Sequence, residues 1–332
     1  MKKVLLIEPT IQPVGVEILA SAAEIVIAPD GEEHTLISLL ASEKIPAVIT
    51  RVENITKRVI EQAPNLKVIG QHGVGVDNID VKAATQNGIL VVNAPTSNYI
   101  STAEHAVMMI LSLARRLPES DRSVRKGDFQ FRERFYPTEI NGKILFVVGL
   151  GRIGGEVAKK CRLAFNMQVI AYDPYISKVQ MAAMGIKKVA LNAGLKSADF
   201  VCIHVPLTKD TQQMITEKEL ALMKSDSFLI NLSRGGILKQ DALVRALESD
   251  QIRGAGLDVF DPEPPPPDDP ILSLSNVIIS PHFAGDTYEA KQRCSESIAR
   301  EVLTVLKSRL PINLVNPDVF GNPNFLKRWF EK

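Results

Sequence analysis

Short apolar runs rich in β-branched residues alternate with helix-forming stretches through the first hundred positions, the pattern of parallel βαβ units. The runs are Val4 to Ile7, Glu24 to Ala28, Ala47 to Thr50, Lys67 to Gln71 and Ile89 to Val92. Each connection is long enough for a crossover helix, as parallel pairing demands, which predicts an α/β domain with its own sheet. Thr102 to Leu117 is strongly helix-forming and apolar around most of its circumference, so it is expected to lie buried between other elements. Arg122 to Tyr136, rich in charge and aromatics, has no clean period and is expected to be an arm or a subunit contact. After Asn141-Gly142 the alternation restarts at Ile144 to Val148, Gln168 to Tyr172, Phe200 to His204, Phe228 to Leu232, Gly256 to Val259 and Val277 to Ser280. Six strands with helical crossovers predict a second doubly wound parallel sheet. Asp261 to Pro270, with four consecutive prolines, is excluded from helix and central strand and reads as an extended loop. The last helical stretch, Tyr288 to Leu306, follows the final strand and is free to cross back onto the first domain.

At 332 residues the chain exceeds one ordinary core and fits two domains of roughly 100 to 200 residues. Two domains imply a cleft, where ligands bind. Apolar content of 45% and charged content of 23% belong to a soluble globular protein. Lys and Arg number 39 against 38 Asp and Glu, so no overall field recruits nucleic acid or an anionic membrane. The start, Met1-Lys2-Lys3 and then Val4 to Ile7, has the look of a signal peptide, but Glu8 and Pro9 interrupt the apolar run too early. No later stretch approaches the roughly 18 apolar residues that span a bilayer, and a cytoplasmic location is expected. Cys161, Cys202 and Cys294 lack CxxC or Cys/His spacing and read as reduced, mostly buried thiols, with no metal site.

Gly149-Leu150-Gly151-Arg152-Ile153-Gly154 matches GxGxxG, directly after a predicted strand and directly before a helix-forming run. That context gives the glycines their mechanics: a tight turn, close backbone approach to a pyrophosphate, and close helix-to-strand packing. The helix start offers unpaired N–H groups and partial positive charge to the phosphates. About 20 residues on, Asp173 ends the next strand, placed to accept ribose hydroxyls and to repel the extra phosphate of NADP. NAD is therefore the expected cofactor.

Ligands of open parallel sheets bind beyond the carboxyl ends of the strands. Arg234 follows one predicted strand, Asp258 and Glu263 another, and His282 the last. An arginine fork holds a substrate carboxylate and polarises the neighbouring carbonyl. A histidine exchanges the proton of that carbonyl oxygen, and a carboxylate beside it stabilises the charged imidazole and fixes its orientation. Glu263, on the loop, is the expected partner of His282, and Asp258, at a strand tip, is expected near the nicotinamide. His204 either lines the nucleotide site or is structural. His105, beside Glu104 in the apolar helix, either faces the cleft or forms a hydrogen-bonded core pair with Glu104. In the first domain His72-Gly73-Val74-Gly75 is a loop whose N–H groups suit a substrate carboxylate. Arg51 meets either a phosphate or solvent.

Together these stretches resemble the D-isomer-specific 2-hydroxyacid dehydrogenases over nearly the whole chain. The blocks that carry the resemblance are Gly73 to Asn78, Gly149 to Gly154, His204-Val205-Pro206-Leu207-Thr208, Asn231 to Gly236, Gly256 to Phe260 and Pro281-His282. It implies Arg234, Glu263 and His282 as the catalytic set, and Asp258 near the nicotinamide amide with Ser101 and Thr102. Val205, Pro206 and Thr208 would flank the adenine and ribose. It further implies a flavodoxin-like substrate domain of residues 1–99 with 287–332, a Rossmann NAD-binding domain of residues 100–286, and a homodimer built through the latter. Among members it is most similar to 3-phosphoglycerate dehydrogenases, from Gly75 to Asp80 and from Pro311 to Asn316. The sequence ends soon after, so no serine-sensing domain is expected. Glyoxylate or hydroxypyruvate reduction is the competing activity, and a non-catalytic NAD(H)-sensing corepressor of the same fold is the competing class.

Overall fold

In the computed structural model, which describes residues 1–7 and 11–330, five strands form one sheet. They are β1 (Lys2–Ile7), β2 (Ala23–Ala28), β3 (Ala47–Thr50), β4 (Val68–Gln71) and β5 (Leu90–Val92), in the order β2-β1-β3-β4-β5 and all parallel. Glu8 and Pro9, used above against a signal peptide, lie outside the described residues. Helices cover both faces, so β3 and β4 are buried throughout and read as unbroken apolar runs. The Tyr288–Leu306 helix packs on this sheet through Ile298 and Val302. Gly70 marks where it crosses β4, since a Cβ there would stand 2.9 Å from Val302 Cγ2. The chain accordingly divides into one unit of Met1–Asn98 with Asp286–Lys332 and another of Tyr99–Gly285.

The second unit holds β6 (Ile144–Val148), β7 (Gln168–Tyr172), β8 (Lys187–Lys188), β9 (Phe200–Ile203), β10 (Phe228–Asn231), β11 (Gly254–Leu257) and β12 (Val277–Ile279). Their order is β12-β11-β10-β9-β6-β7-β8, again all parallel. Strand order reverses between β6 and β9, the position at which doubly wound sheets open a crevice. The chain is thus two doubly wound α/β units, as its alternating pattern indicated. The Tyr99–Arg115 helix lies across this sheet, and Gly256 lets it approach β11: a Cβ there would stand 3.3 Å from both Met109 and Leu113 side chains.

Two expectations are corrected. The second sheet has seven strands, because the edge pair Lys187–Lys188 is too short and polar to leave a periodic signal. β11 begins at Gly254 and leaves the sheet at Asp258, two residues earlier than its β-branched residues suggested. The segment Arg122 to Tyr136, expected to be an arm or a subunit contact, contains two helical pieces. The long helix stops where Arg116 turns left-handed (φ 52°), a helix Leu117–Arg125 follows, and Phe131–Arg134 adds one more turn. The Arg116 guanidinium stands 4.2 Å over the Phe135 ring, and Arg253 bonds the Tyr136 carbonyl and the Thr138 hydroxyl, both at 2.9 Å. Among the described residues no helix is long and apolar enough to cross a membrane.

Candidate active site

The glycine turn links β6 to the Arg152–Phe165 helix. Gly149 has φ 91°, which favours glycine, and a Cβ there would stand 2.8 Å from Val205 Cγ1. At Gly154 a Cβ would lie 2.1 Å from the Gly149 carbonyl oxygen, so only glycine lets the helix start close to the turn. A Cβ at Gly151 would meet nothing within 4 Å, leaving the backbone there open to a ligand. Gly151 also caps the helix without a side chain, and no acidic residue occupies the first turn. This is a helix start with N–H groups that no side chain caps, suited to a phosphate. Asp173 is buried at the end of β7, accepting from the Leu150 N–H (2.9 Å) and from the Tyr175 N–H (2.9 Å). The turn, Asp173 and Val205 are therefore brought together, and they fit a dinucleotide. His204 Nε2 is buried with no partner, and burial lowers this imidazole to about 4, so it is neutral. Arg152 is exposed and Ile153 packs partly into the core. Pro206 and Thr208 sit on an exposed turn that Thr211 closes, its hydroxyl bonding the Pro206 carbonyl at 2.6 Å. Thr102 is buried within its helix.

Arg234, Glu263 and His282 emerge at the same carboxyl edge, after β10, β11 and β12. The buried Asn231 shapes the arginine turn: its Nδ2 donates to the Arg234 carbonyl (2.9 Å) and its Oδ1 accepts from the Ser233 N–H (3.1 Å) and hydroxyl (2.7 Å). This turn is pressed against the next loop. A Cβ at Gly235 would lie 1.9 Å from the Phe260 carbonyl oxygen. On that loop the Glu263 carboxylate accepts from the Phe260 N–H at 3.3 Å with one oxygen and bonds His282 Nδ1 with the other. Nδ1 is thus engaged while the imidazole stays about half exposed, leaving Nε2 for a ligand. His282 has φ 51°, an uncommon backbone state that its surroundings must hold.

Asp258 stands at the strand tip, directly after β11. It is buried, and both carboxylate oxygens serve the turn around His282, accepting from the Ser280 hydroxyl and the Phe283 and Ala284 N–H groups. Glu104 and His105 form no core pair: Glu104 is exposed beside Lys160, because consecutive helix positions face different ways, while His105 reaches Ser280. Asn231 and Ser280 escaped sequence reasoning; their only signal was a polar residue at the end of an apolar strand.

In the first unit Val74 is exposed and Gly75 partly so, on the loop after β4, with Asn93 Nδ2 bonding the Val74 carbonyl at 2.7 Å. The Arg51 guanidinium pairs with Asp286, which Lys291 also approaches at 3.3 Å. All three cysteines are free and buried, and burial pushes the Cys161 and Cys294 thiols up to about 12. Among the described residues no group of three His, Cys, Asp or Glu is arranged to hold a metal.

A family model described as D-isomer specific 2-hydroxyacid dehydrogenase, NAD binding domain, matches residues 107–284, more than half of the chain. The chain belongs to this family. Within it, the chain is 45% identical over 275 residues to D-3-phosphoglycerate dehydrogenase of Archaeoglobus fulgidus, covering 82% of this chain and 52% of that one. It is 39% identical over 307 residues to glyoxylate reductase of Korarchaeum cryptofilum, covering 87% and 92%. Among solved family structures, D-lactate dehydrogenase from Aquifex aeolicus, complexed with NAD and lactic acid, superposes with a TM-score of 0.82 at 31% identity, covering 96% and 98%. This dehydrogenase-family chain spans 52% to 60% of the length of three D-3-phosphoglycerate dehydrogenases that it matches.

Proposed function

We propose that this protein is an NAD-dependent dehydrogenase that interconverts a small D-2-hydroxy acid and its 2-oxo acid. The observation that carries this reading is the His282–Glu263 pair on the sheet edge from which the glycine turn also emerges. Gly149, Gly151 and Gly154 would hold the pyrophosphate and Asp173 the ribose, with Arg152, Ile153, Val205, Pro206, Thr208 and Thr102 around the nucleotide. NADH, when bound, supplies the electron pair and hydrogen that the substrate C2 needs. Arg234 grips the substrate carboxylate and polarises the C2 carbonyl. His282 delivers a proton from Nε2 to the C2 oxygen in reduction and removes it in oxidation. Glu263, bonded at Nδ1, fixes which ring nitrogen faces the substrate and offsets the positive charge of the protonated ring. The unit of residues 1–99 with 287–332 is assigned to substrate binding, with Val74 and Gly75 at the carboxylate, and residues 100–286 to NAD.

The 3-phosphoglycerate/phosphohydroxypyruvate couple is the substrate pair favoured by the relatives. One observation favours glyoxylate or hydroxypyruvate instead: Arg51, the candidate phosphate ligand, is already paired with Asp286. The test is NADH oxidation by the purified protein with phosphohydroxypyruvate, hydroxypyruvate, glyoxylate, pyruvate and bulkier 2-oxo acids, repeated with NADPH. Turnover of one of them with NADH, and weaker turnover with NADPH, is expected. NADH binding without turnover of any would refute the enzyme reading and favour a dinucleotide sensor.

A further inference from the structure

One histidine of the long helix touches the turn that carries His282 on both sides of it. His105 Nε2 lies 3.1 Å from Ser280 Oγ, two residues before His282, and the His105 ring meets the Phe283 ring edge-on, centroids 5.3 Å apart, one residue after it. The single hydroxyl proton of Ser280 goes to Asp258 Oδ1 at 2.5 Å, so its oxygen is the acceptor for His105. His105 is therefore the donor, in the Nε2–H form. Asp258, held from this side, accepts from the Phe283 N–H at 3.1 Å and the Ala284 N–H at 2.9 Å, the two amides directly after His282. We propose that His105, acting through Ser280 and Asp258, is a positioning residue that holds His282 in its left-handed backbone state and its ring against Glu263.

This rests on the dehydrogenase reading for its catalytic consequence but not for its structural content. A neutral His105 suits the role, and burial lowers its pKa against a smaller opposing pull from Asp258. A charged ring would put a second cation beside the turn. The bonding pattern also predicts which replacements are tolerated. Glutamine places an amide N–H near the position of Nε2, whereas leucine fills the space without a donor.

The test uses the full chain with His105→Leu, His105→Gln and Ser280→Ala, the last removing the relay oxygen with little change in volume. The first readout needs no turnover. It is the far-downfield proton resonance of the His282 Nδ1–H bonded to Glu263, identified by its loss in Glu263→Gln. It should vanish or broaden in His105→Leu and Ser280→Ala and return in His105→Gln. With a turned-over 2-oxo acid, kcat should fall by up to about a hundredfold in the first two variants, the scale of a small misplacement of a reacting group. NADH affinity should stay unchanged, and His105→Gln should recover kcat. An unaltered resonance in both Leu and Ala variants, or a Gln variant as impaired as Leu, would overturn the proposal. A resonance that responds as described in a protein that turns over no 2-oxo acid would uphold the positioning role and refute the dehydrogenase reading.

Discussion

His72 is buried at the end of β4 with Nε2 bonded to Ser295 Oγ at 2.8 Å and Nδ1 without a partner. Burial, with the nearby Arg51 charge, lowers its pKa from 6.5 to about 4. The unfolded chain then binds more protons than the folded one between those values. Stability is therefore complete above about pH 6.5 and falls as the pH drops towards 4, by up to about 3 kcal/mol from this residue. In urea unfolding, His72→Gln should lose less stability than the parent between pH 7 and pH 4.5; an equal loss would remove His72 from the acid sensitivity. Roles of this kind were partly legible from residue type. The pairing of His282 with Glu263 followed from charge at strand ends. The duties of Asp258, Ser280 and His105 did not, because a carboxylate that bonds the amides of a turn 25 residues away leaves no local pattern.

The glycine turn separates packing from ligand binding within one element. Gly154→Ala would set a methyl 2.1 Å from the Gly149 carbonyl oxygen, forcing the helix away, at a cost of about 1–3 kcal/mol, with weaker NADH binding as well. Gly151→Ala would place its methyl in open space, so stability should hold while NADH binding weakens. Thermal unfolding and NADH titration of the two variants check this; full NADH affinity in Gly151→Ala would place the pyrophosphate elsewhere. This element was fully legible, since glycine spacing, strand and helix lie in one short stretch. The helix Leu117–Arg125 was not, because it is short and polar on most of its surface and is held by local pairs such as Arg125–Asp121.

For the whole molecule, the second unit leaves Met108, Leu117, Val124, Phe129 and Tyr136 exposed on the long helix and the segment after it. Apolar side chains grouped so closely in sequence suit a contact with a second copy. Sedimentation should give a species of twice the 36.5 kDa chain mass, weakened by Leu117→Glu; a monomer at all concentrations would contradict the homodimer. The strand pattern announced both sheets, whereas the reversal of strand order between β6 and β9 lies in pairings that no single stretch encodes. On the proposed mechanism His282 exchanges the substrate proton beside bound NAD, and this is the step on which turnover depends. It is tested most directly by measuring kcat and NADH affinity together in His282→Ala. A fall in kcat of about 10²- to 10⁴-fold with NADH affinity retained is predicted, and turnover equal to that of the parent protein would contradict it.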